Sequence, residues 1–242
     1  MNSIIESLFE RKSVRAFEKR DIGEENRRII LESACQAPTA GNQQLYTIIN
    51  VTEQSIKDKL AVSCDNQPFI ADAPMVLIFC ADCKKWYDAY TSIGLSPRKL
   101  AKGDLLLAVE DALIAAQNAV VAAESLGLGS CYIGDILENR EYHKELLSIP
   151  DRVLPIAMLV IGYPTMAAIE RKKPERAPME HIVHENGYRV HTAEELKAML
   201  IHSAGVKDYE AWLTAFCKRK YDSDFSREMM RSVEEYLKEF DA

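Results

Sequence analysis

Apolar side chains at Ile4, Ile5, Leu8 and Phe9 fall at helical spacing, and Ser3 and Glu6 stand in the order of a capping box. The chain is therefore expected to open with a helix. Arg11 to Phe17 reads as an extended segment. A second helix is expected over 24–36, with Ile29, Ile30 and Ala34 on one side. The loop Ala37-Pro38-Thr39-Ala40-Gly41-Asn42 stops it, because its proline and glycine break the period. Tyr46 to Val51 predicts a strand, 53–62 a short helix, and the apolar run Met75 to Cys80 another strand.

Residues 104–126 form the most apolar stretch. Leu105, Leu106, Val109, Leu113, Ile114, Ala116, Val120, Val121 and Ala123 cover nearly every face of a helix. Such a helix is buried in a core or against another chain. Glu110, Asp111 and Glu124 interrupt it, so it is not expected to cross a membrane. Gly127 ends it, and strands follow at Ser130–Ile133 and Leu154–Ile161, the latter running into Gly162-Tyr163-Pro164. From Thr192 the chain is charged and helical, beginning with a Thr192…Glu195 capping box. Strands and helices lack a strict βαβ rhythm, which predicts an α+β fold. No G-x-G-x-x-G opens a helix after a strand, which argues against a dinucleotide fold of that kind.

The 242 residues fit one large domain better than two independent units. The expected division is a main domain over 1–190 and a helical extension of it over 191–242. A chain of this size buries enough surface to need neither disulfides nor a structural metal. Its 30 Lys+Arg against 37 Asp+Glu leave a net charge of −7, which argues against a nucleic-acid partner. No basic-then-apolar signal pattern opens the sequence, so a soluble, cytoplasmic protein is expected. Cys80 and Cys83 form the single C-x-x-C, with no second pair for a zinc site and at the end of a strand rather than a helix start. They are read as structural. His181 and His184 are read as surface or packing residues, and no metal site is expected.

Candidate chemistry lies elsewhere. In an extended chain Arg11, Ser13 and Arg15 point the same way, so two guanidinium groups and a hydroxyl can meet on one phosphate ester. A solvated basic edge is the alternative reading. A second basic patch, Lys172, Lys173 and Arg176, lies in a segment of local charge +2 (four basic against two acidic residues from Glu170 to Arg176). Between them, Pro38 to Asn42 offers hydroxyl, amide and bare backbone donors.

Taken in order, these features resemble the FMN-dependent nitroreductase family. The matching stretches are Arg11-Lys-Ser-Val-Arg15, Ala37-Pro-Thr-Ala-Gly-Asn-Gln43, Gln67-Pro-Phe-Ile, Gly127-Leu-Gly-Ser-Cys-Tyr-Ile-Gly134 and Leu154 to Pro164 followed by Lys173-Pro174. The likeness covers residues 1 to about 190 and is closest to the larger branch, the oxygen-insensitive NADPH nitroreductase and flavin reductase group. It implies a mostly antiparallel sheet flanked by helices, and an interlocked homodimer with FMN at the interface.

By the same resemblance, Arg11, Ser13 and Arg15 would hold the FMN phosphate and ribityl end, and Lys173 and Arg176 would close on the phosphate. Asn42 and Gln67 would bond polar atoms of the flavin or ribityl chain. Thr39, Ala40 and Gly41 would come from the partner subunit, and Ile133 and Gly134 would lie against the ring. Here Glu175 stands between Lys173-Pro174 and Arg176, where the larger branch often has Lys-Pro-Arg.

The implied activity is hydride transfer from NADPH or NADH through FMN to a nitroaromatic, a quinone or a free flavin, by a ping-pong scheme. No catalytic side chain is expected, since the cofactor carries the chemistry. The alternatives are a flavin-binding sensor or storage protein with little turnover, a specialised relative such as a reductive dehalogenase, and a flavin-free scaffold.

Overall fold

A computed structural model describes residues 1–241. The helices are α1 (Ser3–Glu10), α2 (Glu24–Cys35), α3 (Gln54–Ser63), α4 (Phe69–Asp72), α5 (Lys84–Ser92), α6 (Lys102–Ser125), α7 (Arg140–Leu146), α8 (Met166–Glu170), α9 (Ala193–Ala204), α10 (Tyr209–Tyr221) and α11 (Asp224–Leu237). The strands are β1 (Tyr46–Val51), β2 (Met75–Asp82), β3 (Gly129–Ile133) and β4 (Val153–Gly162). They form one sheet in the order β1-β2-β4-β3, each pair antiparallel. The α+β expectation holds, and the expected elements lie within a few residues of their observed bounds.

The central strands are apolar without interruption because both of their faces are covered. All eight residues of β2 are buried. Met75, Leu77 and Phe79 face α2 and α6, whereas Val76, Ile78 and Cys80 face α3 and α4. Pro155 sits inside β4, where it cannot donate to the ladder. The register shift opposite Phe79 and Cys80 accommodates it.

Helix α6 lies on the sheet through Ala108, Ala112, Ala115, Ala116 and Ala119, all with zero exposure. Small side chains let it approach closely. This face is the part buried in the chain's own core; Leu106, Leu107, Leu113 and Ile114 are exposed in the single chain. Gly127, at φ 74°, ends the helix, with Gly127 N–H donating to the Glu124 carbonyl and Leu128 N–H to that of Ala123. This is the paired hydrogen bonding of a Schellman motif.

At the N-terminus the capping differs from expectation. Asn2, one residue earlier than Ser3, caps α1 by accepting from Ile5 N–H at 3.0 Å. Thr192 does cap α9, accepting from Glu195 N–H at 3.3 Å while the Glu195 carboxylate accepts from Thr192 N–H at 2.9 Å.

Cys80 and Cys83 are buried free thiols, each pushed up to about 12 chiefly by burial. A thiol so far from its thiolate is a packing group.

The chain divides into two compact units, Met1–Arg171 with the C-terminal stretch from Glu228, and Lys172–Arg227. In the first, Glu239 accepts from Arg140, Lys144 and Arg152 N–H, which fastens the end of the chain beside α7. In the second, His181, His184 and His191 stack at centroid separations of 5.6 and 5.2 Å. Among the described residues no three His, Cys, Asp or Glu side chains are grouped to hold a metal ion.

Candidate active site

Residues 11–15 run beside β3. Ser13 bridges Ser130 in parallel, and Val14 N–H donates to the Ser130 carbonyl at 2.8 Å. Close approach depends on Gly129, where an added Cβ would lie 2.4 Å from Val14 Cγ2. Lys12 secures the segment by donating to the carbonyls of Ile169 and Arg171, and Arg171 donates to the Ser13 carbonyl.

The segment brings its three polar side chains to β3. The Cys131 thiol donates to the Tyr132 carbonyl at 3.4 Å; burial pushes its pKa up, and the nearby Arg15, Ser13 and Arg11 side chains pull it down. The Arg15 guanidinium also lies 5.9 Å from the Phe69 ring centroid. Arg11 feels Glu124 and Tyr132 as well, so it is shared between β3 and the end of α6.

Gln67 reaches the same neighbourhood from the other side. Its amide donates to the Cys64 carbonyl at 2.8 Å and to the Asp135 carboxylate. Asp135 opens the turn that follows Ile133 and Gly134, so Gln67 lies beside both. Ile133 is buried in the core beneath. A Cβ added at Gly134 would meet nothing within 4 Å, so open space adjoins bare backbone there.

These features fit a phosphorylated flat ring. Among the described residues neither Arg11 nor Arg15 enters an ion pair, and Arg11 Nε and Ser130 Oγ are buried without a hydrogen-bond partner. Buried polar groups normally find partners, so an orphan on the segment and another on β3 are groups an incoming ligand could satisfy.

Thr39, Ala40, Gly41 and Asn42 lie elsewhere. They form a tight turn leading into β1, at the opposite edge of the sheet. Three strand spacings, roughly 14 Å, separate the two edges. The turn holds Gly41, Asn42 and Gln44 at positive φ (57°, 56° and 46°). Asp111 of α6, only 3% exposed, accepts from Thr39 Oγ1, from Ala40 N–H at 3.1 Å and from Leu45 N–H at 3.0 Å. Trp86 Nε1 donates to the Gln43 carbonyl at 2.6 Å. Lys173 and Arg176 belong to the second unit, Lys173 half-buried and Arg176 exposed.

Phe69, Asp135, Asp111 and Trp86 were not singled out by the sequence as site residues. For Asp111 a signal existed. A carboxylate among alanines and leucines on a helix otherwise fit for burial must be met by donors from another segment.

The chain as a whole has known relatives. The model of the Nitroreductase family matches residues 8–163. The FMN reductase (NADPH) of Bacillus subtilis is 33% identical over 211 residues, covering 86% of this chain and 84% of that one. The oxygen-insensitive NADPH nitroreductase of Salmonella typhimurium is 35% identical over 191 residues, covering 78% and 76%. The solved structure of NfrA1 from B. megaterium superposes with a TM-score of 0.85 at 29% identity, covering 99% of each chain.

Proposed function

The chain belongs to the nitroreductase family and is an FMN-dependent NAD(P)H oxidoreductase, and from that premise we propose that each flavin is cradled at the β3 edge of one protomer and covered by the Thr39–Asn42 loop of a second copy. One observation carries this reading. The phosphate-like chemistry (Arg11, Ser13, Arg15) and the loop donors sit on opposite edges of one sheet, so a single chain does not assemble them. A twofold partner, the commonest symmetry among soluble oligomers, supplies the missing edge. The exposed Leu106, Leu107, Leu113 and Ile114 give such a partner an apolar surface to cover.

FMN, when bound, accepts hydride from NAD(P)H and passes electrons on to the acceptor. The chain's own part is to bind and orient. Arg15 and Ser13 anchor the phosphate and ribityl end by charge-assisted bonds, with Arg11 beside them. Gln67, its NH₂ group already held by Asp135 and the Cys64 carbonyl, would offer its amide oxygen to the ribityl or ring polar atoms. Ile133 and Gly134 give the ring a flat floor, apolar below and bare backbone at its end. Asn42 and the backbone of Thr39, Ala40 and Gly41 complete the wall from the partner. Donor and acceptor would use one slot beside Ile133 and Gly134 in turn, as ping-pong kinetics require. The acceptors that suit such a slot are flat and electron-poor: nitroaromatics, quinones or free flavins.

Rapid mixing with NADPH, and separately with NADH, is expected to bleach the yellow protein quickly, and a quinone or nitroaromatic then restores the colour. A colourless purified protein, or failure of both donors to bleach it, overturns the reading. Shared sites are tested by mixed dimers. A chain carrying Arg15→Ala, paired with one whose Thr39–Asn42 loop is replaced, is expected to regain one working site that neither parent dimer has.

A further inference from the structure

Asp111 is a buried carboxylate that the flavin chemistry does not use and that no cation neutralises in an ion pair among the described residues. Its three donors all come from one short segment. Oδ1 accepts from Ala40 N–H, and Oδ2 accepts from Thr39 Oγ1 and from Leu45 N–H. The Thr39 hydroxyl in turn accepts from Gln44 N–H at 2.8 Å. Both feet of the loop therefore stand on one carboxylate, and the residues between them cannot spread apart.

The segment would not hold this shape by itself. Asn42 and Gln44 are non-glycine residues in the left-handed region, which costs each of them backbone energy. A burial cost for an unpaired carboxylate and a strain cost in the loop are each offset by the other group's presence. On α6 the neighbours of Asp111 one turn to either side, Leu107 and Ile114, are 47% and 40% exposed. The pinned loop thus borders the apolar strip assigned above to the partner.

We propose that Asp111 is a positioning residue that presets the Thr39–Asn42 loop of its own protomer in the shape required by the flavin of the other. The proposal rests on the reading that this loop covers the partner's cofactor. Because the loop is set before the cofactor arrives, no ordering cost falls on binding, and affinity depends on a residue that never touches the flavin.

The test uses the purified holoenzyme, with flavin release on dilution followed by fluorescence and amide exchange at Ala40 and Leu45 as a second readout. Asp111→Asn removes at least one acceptor and places an NH₂ group among donors. It is expected to speed flavin loss tenfold or more and to deprotect both amides. Thr39→Val removes the bond to Asp111 and the one from Gln44 N–H but leaves the carboxylate its two backbone donors, and is expected to give a smaller loss. In the Asp111→Asn background Thr39→Val should add less than it costs by itself, since the two side chains share one hydrogen bond.

Should Asp111→Asn fold poorly, Thr39→Val alone still decides. Deprotected loop amides with unchanged flavin retention in either variant overturn the proposal, and leave Asp111 a purely structural group. Arg15→Ala separates this failure from that of the parent reading. If Arg15→Ala loses flavin while Asp111→Asn and Thr39→Val do not, the positioning role alone is wrong. If all three retain flavin normally, the placement of the cofactor is wrong.

Discussion

At the β3 edge Arg11 and Arg15 enter no ion pair among the described residues, and Arg11 Nε and Ser130 Oγ are buried without partners. At the β1 edge the loop from Thr39 to Leu45 is closed on Asp111 by three hydrogen bonds and steadied by Trp86. One edge is chemically unfinished, and the other is finished but projects without a task of its own. Donors left unmet on one edge, and a buried carboxylate spent on shaping the other, are what the proposed twofold assembly would bring together.

The largest expected effect comes from removing charge at the unfinished edge. Arg15→Ala should weaken flavin binding by about 1.5–3 kcal/mol, tenfold or more, because charge-assisted bonds are worth that much. The melting temperature of the flavin-free chain should hardly move, since Arg15 is exposed and in no ion pair among the described residues. Titration with FMN and thermal scans of both forms check this. A parallel fall in stability would mean that the β3 edge is as self-sufficient as the loop.

Next comes the close approach that places Arg11, Ser13 and Arg15. Gly129→Ala sets a methyl 2.4 Å from Val14 Cγ2 and 2.8 Å from its Cβ. It should cost about 1–3 kcal/mol in urea unfolding, the usual range for overpacking. Flavin should be lost with it, because the whole segment must shift. Full flavin retention in a destabilised Gly129→Ala protein would detach the segment from the cofactor.

The smallest effect is pH-dependent. Burial pushes the Glu138 carboxyl up to about 7, with Asp135, Asp65 and Glu228 adding to the rise, and its Oε1 has no hydrogen-bond partner. The folded chain therefore keeps a proton that the unfolded chain releases above the ordinary value of 4.5. Stability should fall as the pH rises between those two values and level off above them. Glu138→Gln should flatten the slope in melting curves taken from about pH 4 to about pH 8. A slope that persists in Glu138→Gln would assign the titration to another group.

Much of this was legible in the sequence. β2 and β4 were plain as strands because full burial on both faces requires an unbroken apolar run, and α6 was plain from its glycine stop. Arg11, Ser13 and Arg15 stand out in the sequence as candidates because alternation in an extended chain is a local rule. The N-cap of α1 was placed one residue late, since Ser3 and Asn2 are both good caps and geometry alone selects between them. Asp111 was read as an interruption of a membrane-length helix, and its purpose stayed hidden because its donors lie 66 to 72 residues away along the chain.

By itself the sequence determined the elements, the family motifs and the types of side chain that would meet a phosphate. These follow from periods of two and 3.6 residues and from local turn chemistry, which nearby residues enforce. The tertiary structure decided which of those side chains meet. Strand order is settled by packing between segments far apart in the chain. Only that order sets the Arg11–Arg15 segment and the Thr39–Asn42 loop on opposite edges, with Asp111 beneath the loop and Gly129 beneath Val14.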